Sequence, residues 1–361
     1  ATVLAKLRND KLRLQAGFMA VDPTNGHVKA WVGSRDFATD QFDHVSQARR
    51  QPGSTFKPFV YAAAFENGSR PNDVFVDQAL EIPLGNGNFW RPGDAGGPSG
   101  LTMTLRQGLM YSKNSITAQV MQVVGPQHVA RLAKSMGVRQ SKMDEVLSLS
   151  LGTSPVTLKE MVSSYSTLAN DGRYIEPMII ARVEDRNGKV LEQMVEPVAE
   201  TAMQTAVAQT VVDVLRGAVD QGTGTGIRSR YGIRADVAGK TGTTQDNTDA
   251  WFILMSPQLV AGAWVGFNDN RVTMGSGWGQ GSQAALPIVG EFFRRAYRDK
   301  VADANAKLTA PRDTNVADPS LIEVEVNTLP APPEPQGPVD RSVSSADPAV
   351  PREGSWQPSP G

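Results

Sequence analysis

Residues 232–244, "GIRADVAGKTGTT", decide between two folds. The Gly-Lys-Thr inside them looks like the end of a phosphate-binding loop, while the overlapping Lys-Thr-Gly suits a strand beside an acyl-transfer serine. A phosphate loop needs a glycine, four free residues, then Gly-Lys-Ser/Thr. Counting back from Gly239 across four residues reaches Arg234, and the nearest upstream glycine, Gly232, is six residues away. Such a loop must also open a helix whose N–H groups hold the phosphates. Here Gly242, Thr243 and Thr244 follow, and glycine and β-branched residues open helices poorly. The strand reading therefore leads, and it requires partners elsewhere in the chain.

The chain has 361 residues, 40% hydrophobic and 20% charged, enough for a sizeable core. A net charge of −1 gives no field that would gather nucleic acid or an anionic membrane. There is no cysteine, which removes disulfides, thiolate metal sites and thiol nucleophiles together. Three dispersed histidines, His27, His44 and His128, argue against a histidine metal site. No apolar run reaches membrane-spanning length. The opening "ATVLAKLRNDKLRLQAG" reads as a charged helix or linker rather than a signal peptide.

Strand signals lie at both ends of the folded part. "GFMAV" and "HVKAWV" flank the turn "DPTNG", and "VAGKTGTT", "DAWFILM" and "LVAGAWVGF" form a second group. Helical patterns fill the middle at residues 56–66, 104–110, 115–124, 127–136, 158–169 and 202–219, and another closes the domain at 287–297. Asn187-Gly188 predicts a further hairpin. The fold class is thus α+β: an antiparallel sheet built from both chain ends, helices packed on it and a mainly helical inserted region. The expected division is a linker remnant at 1–16, one domain at 17–300 and a Pro-rich, disordered tail at 301–361, with one short strand possible in "SLIEVEVNTL".

In "RQPGSTFKPFVYAAAFENG" the turn Pro52-Gly53 precedes a helix, which puts Ser54 at its N-terminus and Lys57 one turn later on the same face. A nucleophilic serine gains there from the nearby amine and from the positive helix end. Taken alone, a serine cap with a surface lysine explains the pair equally well. In "LRQGLMYSKNSITAQV", Ser112-Lys113-Asn114 falls between two helices, where a cap is the simpler account. Together with Lys240-Thr241-Gly242, however, the order Ser-x-x-Lys, Ser-x-Asn, Lys-Thr-Gly is the joint signature of penicillin-binding proteins and class A β-lactamases.

With "LGTSPVTLKEMVSSYSTLANDG" and "AGKTGTTQDNTDAWF" added, residues 14–297 resemble the transpeptidase domain of class A, bifunctional penicillin-binding proteins. The resemblance implies that Ser54 is the acylated nucleophile, Lys57 its base, Ser112 a proton relay and Asn114 a clamp on Lys57 and on the substrate amide. Lys240 would add charge, and Thr241 and Thr243, on one face of the strand with Gly242 between them, would bind a carboxylate. The N–H groups of Ser54 and Thr243 would form an oxyanion hole. No metal or organic cofactor is implied. The implied partners are peptidoglycan stem peptides, β-lactam antibiotics and cell-wall synthesis and division proteins, outside the cytoplasm. The membrane anchor and glycosyltransferase domain of the full-length family are expected to lie outside this chain.

Two rivals share the trio: a penicillin-sensing domain that does not turn over, and a class A β-lactamase. The second needs a carboxylate to activate water. Glu160 is the candidate, but "TLKE" from Thr157 reads as a capping box. The Gly-rich "MGSGWGQGSQAALP" reads as a flexible connection near the site mouth. Asp249 and Trp251 read as supports of the sheet behind the Lys-Thr-Gly strand.

Overall fold

The computed structural model describes residues 2, 11–94 and 96–310. Five antiparallel strands form the central sheet: β1 (Leu14–Val21), β2 (Val28–Val32), β3 (Ala238–Thr243), β4 (Asp249–Met255) and β5 (Val260–Phe267). Their order is β3-β4-β5-β1-β2, so the two ends of the domain meet where β5 pairs with β1. Among the described residues the "GKTG" strand is an edge strand, paired only with β4.

β4 and β5 read as continuous apolar runs because both faces of the sheet are covered. Trp251, Ile253, Met255, Val260 and Trp264 face a large helical core. Ala250, Phe252, Leu254, Ala261 and Ala263 face a second core on the other side. Full burial of a side chain such as Phe252 stabilises the fold by about 1.5–3 kcal/mol.

The helical side contains α1 (Lys57–Glu66), α2 (Leu105–Met110), α3 (Asn114–Val124), α4 (Pro126–Met136), α5 (Leu158–Ala169) and α6 (Thr205–Asp220). α7 (Leu286–Arg298) covers the opposite face through Val289 and Phe293. Residues 57–65 of α1 are all buried, as expected of a helix that is apolar all round. Lys57, the one charge among those nine residues, is carried inside with them. α5 packs directly on β5: a Cβ on Gly262 would come within 2.6 Å of Val162. The hairpin at Asn187-Gly188 is present as Arg182–Glu184 paired with Val190–Gln193. Among the described residues no helix is long and apolar enough to cross a membrane.

Two boundaries differ from the sequence reading. β1 begins at Leu14, inside the segment read as linker. The ordered chain also runs past residue 300, where the tail was expected to start. Leu308 and Ala310 are buried, and the Arg216 guanidinium donates to the carbonyls of Ala310 (2.7 Å) and Leu308 (3.3 Å). Two buried apolar side chains and two carbonyls are enough to seat a short segment that its composition does not mark as folded. The strand read in "SLIEVEVNTL" lies outside the described residues.

Candidate active site

Three segments converge at the β3 edge of the sheet. Ser54 lies in a 3₁₀ turn, Gly53–Phe56, that runs straight into α1. The α-helix therefore begins one residue later than the sequence pattern suggests, and Ser54 stays partly exposed at its entrance. Gly53 takes φ +53°, and a Cβ there would come within 2.5 Å of the Thr243 carbonyl. On the strand side, a Cβ on Gly242 would meet the Pro52 carbonyl at 2.6 Å. These two glycines allow the serine turn and β3 to touch.

The turn is held from behind. Tyr165 of α5 donates to the Thr55 carbonyl at 2.8 Å, and Trp251 donates to the Gln51 carbonyl at 2.8 Å. Buried Asp249 accepts from Arg50 Nε (2.6 Å), Trp264 Nε1 (2.8 Å) and Thr248 Oγ1 (2.9 Å). Asp249 and Trp251 thus support the sheet, as read from sequence, and the structure adds their hold on the segment leading into the serine turn.

Ser112 lies in the connection from α2 to α3 at φ +61°, a left-handed conformation that costs a residue with a side chain roughly 1–2 kcal/mol. This places Ser112 Oγ between two amines, 3.3 Å from Lys57 Nζ and 2.8 Å from Lys240 Nζ. Lys57 Nζ also meets the Ser112 carbonyl at 2.5 Å and Asn114 Oδ1 at 2.6 Å. Both lysines are fully buried. Burial lowers the Lys57 amine to about 7, with Asp94 opposing that shift and Lys113 adding to it. Lys240 is pushed well below its ordinary value by burial and then by repulsion from Lys57. Both causes disfavour the charged form of Lys240 in the free protein.

The period of β3 puts Lys240 and Gly242 on one face, opposite Ile253 and Trp251, and Thr241 and Thr243 on the other. Both hydroxyls already have partners. Thr241 Oγ1 lies 2.6 Å from Thr223 Oγ1, and Thr243 Oγ1 accepts from the Gly281 N–H at 3.1 Å. The Gly-rich segment is consequently not a loose connection. It forms two short helical turns, Gly275–Trp278 and Gly281–Ala284, and Gly281 is wedged where a Cβ would stand 2.2 Å from the Trp251 carbonyl. At Gly279 and Gly281 the missing side chain reflects close packing, whereas a Cβ on Gly275 or Gly277 would meet open space.

Glu160 caps α5 as expected, in a box with Thr157. It also accepts from the N–H groups of Gln140 and Ser141, both at 2.7 Å, and from Ser141 Oγ at 2.6 Å. Its acceptor capacity is filled by structural donors.

Sequence reasoning missed Asp77, Gly93, Asp94 and Thr223. The first three hold Lys113, Asn114 and Ser115 from a separate loop, and Thr223 touches Thr241. None has a motif spacing to the residue it touches.

Comparison with known proteins agrees with this geometry. A crystal structure of penicillin-binding protein 1A from Haemophilus influenzae superposes with a TM-score of 0.77 at 27% identity, over 82% of this chain and 49% of that one. PonA1 from Mycobacterium tuberculosis, solved in complex with penicillin V, superposes at 0.67 and 25% identity over 86% of this chain and 84% of that one. The fold is that of the penicillin-binding and serine β-lactamase-like proteins. Residues 16–275 match the family described as the penicillin binding protein transpeptidase domain, and the chain belongs to that family. Penicillin-binding protein 1A of Rickettsia conorii is 36% identical over 310 residues, covering 80% of this chain and 38% of the relative. The chain thus spans well under half the length of that relative.

Proposed function

We propose that this chain is a serine acyltransferase that cross-links peptidoglycan through an acyl-enzyme on Ser54. In the first step Ser54 Oγ attacks the carbonyl of a D-Ala-D-Ala stem peptide. Lys57, whose amine is neutral above about pH 7, takes the serine proton. Ser112 passes a proton to the departing D-Ala amine. An amine from a second stem then attacks the ester, forming the cross-link and freeing Ser54. Water in its place gives a carboxypeptidase side reaction.

Asn114 would hold Lys57 and the substrate amide. Thr241 and Thr243 would take the donor's terminal carboxylate by exchanging their present partners. That carboxylate would return Lys240 toward its charged form, because an opposite charge nearby favours the ammonium. The N–H groups of Ser54 and Thr243 would stabilise the oxyanion, consistent with the contact between the serine turn and β3. The substrate places this reaction outside the cytoplasm. The observation that carries the proposal is Ser112 Oγ shared between two buried amines, with Ser54 one turn before the first of them.

The test is intact-mass measurement after incubation with a β-lactam. One adduct should form, peptide mapping should place it on Ser54, and Ser54→Ala should abolish it. An adduct that survives in Ser54→Ala overturns the assignment. Release of D-Ala from a stem-peptide donor separates a synthase from a sensor, which would acylate and stop.

A further inference from the structure

Between Asp77 and Leu101 the chain makes an excursion that carries a small hairpin (Ile82–Gly85 with Asn88–Trp90) and returns to where it left. Its two ends are joined by the Asp77 N–H to the Leu101 carbonyl (2.9 Å) and the Gly100 N–H to the Asp77 carbonyl (2.8 Å). The excursion then grips three consecutive residues at the start of α3. Lys113 Nζ pairs with Asp77 at 2.9 Å, and Ser115 Oγ donates to Asp77 at 2.5 Å. Between them, the Asn114 N–H donates to the Asp94 carboxylate at 3.1 and 3.3 Å, and Asn114 Nδ2 donates to the Gly93 carbonyl at 2.7 Å. The residue flanking α3, Lys113, offers no side-chain cap, so Asp94 does that work from a remote loop.

The Gly93 contact fixes more than position. A carbonyl oxygen only accepts, so the amide nitrogen of Asn114 must face Gly93 and its Oδ1 must face Lys57. We propose that Asp94 is a positioning residue for acyl transfer: with Gly93 it seats Asn114 so that the amide oxygen, not the amide nitrogen, meets the Lys57 amine. This inference rests on the acyl-transfer reading of the site.

Asp94 also supplies negative charge to Lys57. The charged and titratable groups around that amine are Asp94 from the excursion, Lys113 ahead of α3, Lys240 of β3 and Tyr61 on its own helix, with Asp77 committed to Lys113. Asp94 favours the ammonium form, so its removal should let Lys57 lose its proton at lower pH.

The experiment compares Asp94→Asn and Asp94→Ala with the unaltered chain. Acylation rates with a fluorescent penicillin are measured across pH, and the Lys57 Nζ resonance is titrated by ¹⁵N NMR in the free protein. Asparagine keeps an acceptor for the Asn114 N–H and loses the charge. It should lower the plateau rate less than alanine does while moving the acid limb and the Lys57 titration down by roughly one pH unit, the scale of one nearby opposite charge. Alanine should move both equally and also lower the plateau about tenfold, the cost of losing one charged hydrogen bond. A purely structural role would leave the pH dependence where it is. Superimposable profiles for Asp94→Asn and the unaltered chain overturn the proposal, as does an undiminished plateau in a folded Asp94→Ala. Should alanine fail to fold, the asparagine variant still decides. If the unaltered chain takes no penicillin, the acyl-transfer reading fails, while the NMR titration still reports on Asp94.

Discussion

Lys57 and Glu160 are both charged residues taken into the interior, and their surroundings treat them in opposite ways. Glu160 is 4% exposed and receives three backbone N–H groups and two hydroxyls. Burial alone would raise its pKa, but hydrogen bonds from Ser141, Thr157 and Gln140 outweigh that and hold it below the ordinary value. Lys57 is fully buried, contacts Ser112 and Asn114, and has Lys113 as a like-charged neighbour with Asp94 opposing it. Desolvation wins there and brings the amine to about 7. Burial by itself therefore does not mark a reacting group. A saturated charge is structural, and an under-compensated one, such as the Lys57 amine against Ser112, is a candidate for proton exchange.

That contrast can be broken most directly at the lysines. Lys57→Arg should lose about a thousandfold in acylation rate, because an arginine cannot act as base. Lys240→Arg, if its role is charge toward a bound carboxylate, should retain roughly a tenth. Equal and complete loss in both variants, with unfolding transitions unchanged, would mean that the two amines share one task.

The next effect is on pH. Acylation should fall about tenfold for each pH unit below about 7, as Lys57 becomes protonated. A flat profile through that range removes Lys57 as base. Stability should respond in the matching sense. Lys57 titrates in the folded protein near 7 and in the unfolded chain above 10, so between those values the unfolded chain binds more protons and stability rises with pH. Glu160 contributes stability that is complete above the ordinary carboxylate range and is lost as pH falls through its lowered folded value. Urea melts across pH in Lys57→Met and Glu160→Gln separate the two contributions.

Glu160→Gln sharpens the other side. It should cost about 1–3 kcal/mol of unfolding free energy, the penalty for leaving buried donors short of an acceptor. Acylation and the lifetime of the penicilloyl adduct should stay within about twofold. A large change in adduct lifetime, measured by mass, would return Glu160 to the chemistry and revive the β-lactamase reading. The smallest effect is expected from Thr243→Val, which keeps the shape and removes one hydroxyl. Acylation by carboxylate-bearing β-lactams should slow about threefold to tenfold, the scale of one hydrogen bond. No change would detach Thr243 from carboxylate binding.

Much of this architecture is legible in the chain. The five strands of the sheet, the helices at 158–169 and 105–110 and the hairpin at Asn187-Gly188 follow from apolar period and turn residues. The capping box of Thr157 and Glu160 is visible as a four-residue pattern, and so are the Ser54, Ser112 and Lys240 motifs. Local rules carried these because each depends on residues within one turn or one strand. Asp94 and Asp77 were invisible for the opposite reason. They sit in a Gly- and Pro-rich stretch, and their partners lie about twenty to forty residues away. The Gly-rich stretch around Gly281 was misjudged because glycine permits both freedom and close approach, and only the neighbouring backbone tells which.

What the sequence determined by itself is the set of elements and the candidate reactive groups: a serine at a helix entrance, a lysine one turn on, and a Lys-Thr-Gly segment too β-rich to open a helix. Folding decided which charges lose their water and which regain donors. Lys57 and Lys240 give up a proton more readily than an ordinary lysine only because β3, α1 and the Ser112 turn close around one hydroxyl, 2.8 Å from one amine and 3.3 Å from the other. Desolvation depends on everything packed around a group, and that sum over distant segments is written in no local pattern.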